Sequence, residues 1–222
     1  MAGNSIEAFG RIMAQMQTIS ERFGDLEFRA NMGELSPIAE LGWQRIGAKG
    51  IQIGQPRQLP PDPMDSSAVK DANPNILPWV YGVYIPPRVR RAEHETAKRR
   101  LNLPKLKRDQ IGVHHKAAGM KEVVPHELKH SGMTDVKAFT PGVPPRYEEL
   151  MVRASDMMDA DPKDVPDLWE KLKKASPSIE TIYKTPEGFM QAMKPEVDRH
   201  THTAKRILTE LYNSKKFMQD IK

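Results

Sequence analysis

The residues best suited to chemistry are His126, Glu127 and His130. The run His126-Glu127-Leu128-Lys129-His130 has the spacing H-E-x-x-H. On a helix, positions i and i+4 share a face, so two imidazoles so spaced can hold one metal ion between them. The glutamate after the first histidine then stands beside the metal, where it can take a proton from a bound water. Catalytic zinc is typically held by three protein ligands with one position open.

The local sequence VVPHELKHSG resembles the zinc-protease signature. A glutamate 18 residues beyond the second histidine has the spacing of the third ligand in one large aminopeptidase group of the glutamate-class zincins. The resemblance runs from Val123 to Glu149 and no further. It implies zinc on His126, His130 and Glu149, and peptide hydrolysis with Glu127 activating water. Two residues depart from the family pattern. Pro125 places His126 in the opening turn of any helix, and Lys129 puts a cation where the pattern is uncharged.

Other reactive groups are scarce. The chain has no cysteine, which excludes disulfides, thiolate zinc sites, iron–sulfur clusters and cysteine nucleophiles. His114-His115 read as polar surface, and His200 and His202 do not share a helix face. No Walker A loop, G-x-G-x-x-G, G-x-S-x-G or RNP1 signature is present.

The elements that must position these residues are mainly helical. Over 1–32, Ile6, Phe9, Met13, Met16, Ser20 and Phe23 alternate by three and four, predicting an amphipathic helix capped by Asn4 or Ser5. It cannot bury its own apolar seam, so Ile6, Phe9, Met13 and Met16 are read as docking residues. From 146 to 222 the pattern predicts a small helical domain. Tyr147, Leu150, Met151, Ala154 and Met158 share one helix face, and Asp164 caps a second helix carrying Leu168, Trp169 and Leu172. Thr185-Pro186-Glu187 is a helix start, and a last long helix begins near Pro195.

Between them, residues 35–145 hold 14 of the 19 prolines and 9 of the 14 glycines. These residues resist regular structure. Segments 33–85 and 117–145 are therefore read as extended linkers. The best strand is Trp79–Ile85, confined to a sheet edge by Pro78 and Pro86; Trp79 and Tyr81 are further docking anchors.

Charge is segregated. Residues 86–116 hold 10 Lys/Arg against 3 Asp/Glu, a surplus of +7 in a chain whose net charge is +5. Arg88, Arg90, Arg91, Lys98, Arg99, Arg100, Lys105, Lys107 and Arg108 form an electrostatic footprint for phosphates. No Phe, Tyr or Trp lies among them, so contacts to the nucleic-acid backbone are expected rather than base stacking.

No apolar run approaches the roughly 20 residues that cross a bilayer, and no secretory leader is evident. Composition and charge together lead to the expectation of an intracellular, non-catalytic structural subunit without a cofactor. Its partners would be neighbouring proteins and RNA phosphates, as in an organellar (mitochondrial) ribosome. The alternatives are an accessory subunit of a respiratory or ATP-synthase complex, and the zinc metallopeptidase implied by the histidines.

Overall fold

A computed structural model of the chain describes residues 29, 32–54, 82–114, 122–139 and 145–220. Among these lie seven α-helices and a three-stranded sheet, so the fold is mainly α. The anticipated N-terminal helix, with Ile6, Phe9, Met13 and Met16, falls outside the described residues, as do Trp79 and Tyr81.

The first described helix, α1 (Pro37–Ile46), has Ser36 at its N-cap in extended conformation and proline in its first turn, where a missing N–H costs nothing. Gly47 ends it at φ 57°, donating its N–H to the Trp43 carbonyl. A 3₁₀ turn then leads into β1 (Ile51–Ile53). After β2 (Gly82–Ile85) comes α2 (Arg91–Leu101), closed by Asn102 in the left-handed region at φ 54°. The chain continues through β3 (Gln110–Val113) and α3 (Val123–Phe139). Four helices follow: α4 (Pro145–Asp159), α5 (Val165–Ala175), α6 (Ser178–Tyr183) and α7 (Pro186–Asp220).

The sheet order is β1-β3-β2, with β1 parallel and β2 antiparallel to the central strand. Side chains of a strand alternate between faces, and here each face has its own layer. On one face, Ile85 packs with Ala97 and Leu101 of α2 and with Leu103 and Leu106 of its return loop. On the other, Tyr84, Ile111 and Val113 pack on Ala39 of α1 and on Val123, Val124 and Leu128 of α3. A larger core lies beyond α1 and α3. There Ile38, Leu41, Met133 and Val136 join Met151, Trp169, Phe189, Met193 and Ala204 of the C-terminal helices. Burying each large side chain contributes about 1.5–3 kcal/mol, which is why the C-terminal helices dock rather than stand apart.

The crossing of α1 and α3 is close enough to require glycine twice. A Cβ on Gly42 would lie 2.0 Å from the Leu128 carbonyl oxygen, and one on Gly132 would lie 2.0 Å from that of Ile38. Arg45 locks the same junction. It pairs with Asp109 at 2.9 Å and with Asp135, while the Tyr84 hydroxyl donates to Asp109 at 2.7 Å.

Several sequence expectations meet their elements directly. Gly82–Ile85, the described part of the strand expected at Trp79–Ile85, forms β2 at the edge of the described sheet, and α5 begins after Asp164 and buries Trp169 and Leu172, although Asp164 makes no side-chain capping hydrogen bond. Thr185 precedes α7 and its hydroxyl accepts the Gly188 N–H at 3.1 Å.

Other stretches differ from their reading. Segment 33–85, read as a linker, holds α1 and β1, and segment 117–145 holds the whole of α3, because Gly42 and Gly132 serve close packing rather than turns. The basic segment ends in the central strand, β3. Pro195 starts no helix but lies inside α7, whose buried Phe189, Met193 and Val197 flank it. Packing on both sides offsets the roughly 3 kcal/mol such a proline costs. Among the described residues, no helix is long and apolar enough to cross a membrane.

Candidate metal centre

Two helices build the site. From α3 come His126, Glu127, Lys129 and His130, and from α4 come Glu148, Glu149, Arg153 and Asp156. His126 sits in the opening turn of α3, where Pro125 is tolerated because the first N–H groups of a helix lack intrahelical acceptors. One turn later His130 stands over the same face, with the two rings edge to face at 4.9 Å.

Each imidazole is gripped at Nδ1 by a carboxylate of α4. His126 Nδ1 lies 2.5 Å from Asp156 Oδ2, and His130 Nδ1 lies 2.9 Å from Glu148 Oε1. An ionised carboxylate can only accept, so both Nδ1 atoms carry hydrogen, and the Nε2 atoms are the ring nitrogens turned toward Glu149. They point to one place. His130 Nε2 is 2.9 Å from Glu149 Oε2, and His126 Nε2 is 3.9 Å from Glu149 Oε1. One ligand atom from each of the three residues lies within 4.8 Å of the others. Zinc ligands at about 2.0–2.2 Å in a tetrahedron stand about 3.4 Å apart, so the set is close to the size the ion requires.

The electrostatics fit a cation. Burial alone would lower the His130 pKa, but its hydrogen bond to Glu149 and the charges of Glu127 and Glu149 raise it. Burial would raise the Glu149 pKa, yet the hydrogen bond from His130 and the charge of Arg153 hold it well below the usual carboxylate range. The cluster thus attracts positive charge to the space between the Nε2 atoms and Glu149, now met by a proton on His130. With that proton displaced, two imidazole Nε2 atoms and a carboxylate, each imidazole backed by an acid, would form a donor set suited to zinc.

Lys129 does not intrude. Its ammonium is buried and turned from the ligand atoms onto Asp156 at 2.8 Å and Asp159 at 2.7 Å. Burial would lower its pKa, but those two carboxylates raise it, so it stays charged. The cation that departs from the zincin pattern therefore fixes the carboxylate that fixes His126. Asp156 is in turn held well below its ordinary pKa against the cost of burial, by Lys129 and His126.

Glu127 faces the sheet. Its Oε2 accepts the Tyr84 backbone N–H at 2.7 Å, on the side of β2 away from β3. A Cβ on Gly82 would come within 2.8 Å of Glu127 Oε1, so glycine is what lets the carboxylate lie against the strand. A cavity of about 610 Å³ opens beside His126, with Glu127, Lys129, Arg153 and Asp156 in its wall.

Of the residues singled out in the sequence, the structure brings together His126, His130 and Glu149, the one such metal-holding group among the described residues. His200 and His202 stand apart on α7, the first buried and the second exposed. Arg88, Arg90, Arg91, Arg99, Lys105, Lys107 and Arg108 are exposed, Lys98 is half-buried, and Arg100 lies in α2; all belong to the layer across the sheet. Sequence reasoning missed Glu148, Arg153 and Asp156. The signal was the spacing Glu149, Arg153, Asp156, which is i, i+4, i+7 on one face of α4. Comparison of the chain with protein-family models, with curated proteins and with solved structures finds no match in any of the three.

Proposed function

We propose that the chain is a zinc-dependent hydrolase that cleaves an amide bond, most simply a peptidase. One observation carries this reading. His126 and His130 turn their Nε2 atoms toward Glu149 while separate carboxylates hold both Nδ1 atoms. Helix propensity does not call for that orientation of two rings, and a structural role would not need two acids to enforce it. Zinc bound there would supply Lewis acidity, lowering the pKa of a coordinated water toward neutrality and polarising a carbonyl.

The chain's own residues take the remaining roles. His126, His130 and Glu149 bind. Asp156 and Glu148 keep the imidazoles in the binding tautomer, and Lys129 keeps Asp156 ionised. Glu127, adjacent to His126 and held against β2, is the group to accept a proton from the attacking water at a carboxylate oxygen. It then returns that proton to the leaving amine. Arg153, within hydrogen-bond distance of Glu149 at 2.8 Å, fixes the rotamer of the third ligand.

The structural-subunit reading, whether ribonucleoprotein or respiratory, rests on composition and charge, and nothing in it accounts for this convergence. Metal analysis of protein purified without chelator tests the proposal. About one zinc per chain is expected, lost in His126→Ala and His130→Ala. Glu127→Gln should keep its zinc and lose hydrolysis of an unstructured protein substrate by about 10²–10⁴-fold. Protein without near-stoichiometric zinc, or with zinc unaffected by both histidine substitutions, would overturn it.

A further inference from the structure

The face of the sheet opposite the histidines carries the chain's surplus positive charge, and the fold concentrates it further than the sequence does. After α2 the chain turns at Asn102 and runs back alongside the helix. Leu103 and Leu106 plug this return loop into the small core of Ile85, Ala97 and Leu101. Two polar contacts hold it there: His94 Nε2 with the Leu106 carbonyl at 2.9 Å, and Arg108 donating to the Val89 carbonyl at 3.3 Å. Arg88, Arg90 and Arg91 at the start of α2 are thereby brought beside Lys107 and Arg108, although more than a dozen residues separate the groups in sequence.

All five are exposed, as are Arg99 and Lys105. Residues 86–116 hold three acids against ten Lys/Arg. Glu93 and Glu95 make exposed i, i+3 pairs with Arg90 and Lys98, a kind that contributes little in water, and Asp109 is taken by Arg45.

From this surface we infer a docking site for the phosphate backbone of a nucleic-acid duplex, independent of the metal centre across the sheet. Three observations select that partner. Six of the nine basic residues are arginines, whose planar guanidinium groups bind phosphate oxygens in pairs. The charges are spread along α2 and its return loop rather than gathered in a pocket, matching a line of phosphates. A membrane surface would call for apolar residues to insert beside the charges. Yet the exposed large hydrophobics among the described residues are Ile53, Ile182, Leu211 and Tyr212, none of them in this layer. With no Phe, Tyr or Trp in 86–116, the site reads backbone and not base sequence.

The test is fluorescence anisotropy of the full-length chain with a labelled 20-base-pair duplex, DNA in one arm and RNA in the other, across a salt series. If five or six phosphates are neutralised, log K should fall against log salt with a slope of about −4.5 to −5.4 for duplex DNA, and two unrelated sequences should bind alike. The DNA and RNA arms decide which backbone is preferred. Arg91→Glu with Lys105→Glu and Lys107→Glu should weaken binding by at least tenfold and leave bound zinc unchanged. The milder Lys105→Gln with Lys107→Gln should flatten the slope by about two. A flat salt response, equal binding by the charge-reversed variant, or binding to phosphatidylserine vesicles but to neither duplex would overturn the inference.

Discussion

Asp156 is the side chain on which the candidate metal centre turns. It accepts from His126 and from Lys129, and both of those are buried. Removing its charge while keeping its shape, as in Asp156→Asn, should release the His126 ring and leave Lys129 with Asp159 alone. Loss of an acid behind a zinc-binding imidazole typically lowers metal affinity about 10–100-fold. Zinc competition against a chromophoric chelator measures this, and unchanged affinity would mean that the Asp156 contact does not orient the ligand. His126 and His130 were legible in the sequence because their spacing along the chain is itself the signal, and Glu149 through the resemblance that the histidines carry. Asp156 was not, nor was Arg45 with its partners Asp109 and Asp135. Those partners lie 30, 64 and 90 positions away, and only packing brings them together.

At the scale of elements, glycine explains both what was misread and what can be tested. Gly42 and Gly132 counted as breakers in the Pro/Gly-rich middle, yet each sits inside a helix where the other's backbone passes over it. The start and stop of α1 were written in Ser36-Pro37 and Gly47, but glycine abundance concealed them, and a surrounding run of lysine and arginine concealed β3. In an isolated helix Gly132→Ala would add about 1 kcal/mol of stability. Here the new methyl would meet the Ile38 carbonyl at 2.0 Å, and a backbone oxygen cannot rotate away. A net loss on the order of 1–3 kcal/mol is expected in urea unfolding, and a gain would show that the helices do not cross this closely. Gly82→Ala acts on a different contact. Its methyl would press on the Glu127 carboxylate and on Val123, so the proposed hydrolysis should fall by tenfold or more with the proposed zinc content unchanged. Retained activity would release Glu127 from dependence on its seat against β2.

The whole molecule is joined through the core that α7 shares with α1 and α3, and a buried histidine in α7 makes that union sensitive to pH. His200 has no exposed surface; its Nδ1 donates to the Glu196 carbonyl at 2.6 Å, and its Nε2 is buried without a partner. Burial pushes its pKa down, the charges of Arg199 and Lys137 push the same way, and Glu196 opposes them without prevailing. The folded chain therefore holds His200 neutral at pH values where the unfolded chain, with a histidine pKa near ~6.5, takes up a proton. Because the unfolded state binds more protons in that window, stability falls as pH drops below ~6.5 and stops falling once the folded pKa is passed. His130 acts with the opposite sign, its folded pKa being raised, so the native curve alone is ambiguous. The difference between the native chain and His200→Leu isolates the effect. Urea unfolding at pH 8 measures the substitution's fixed cost. Between pH 6.5 and 5 the native chain should lose ground to the variant by up to about 1.4 kcal/mol per pH unit. A difference constant across pH would mean that His200 finds an acceptor for its second proton, and that the C-terminal helices do not close over it as tightly as the structure shows.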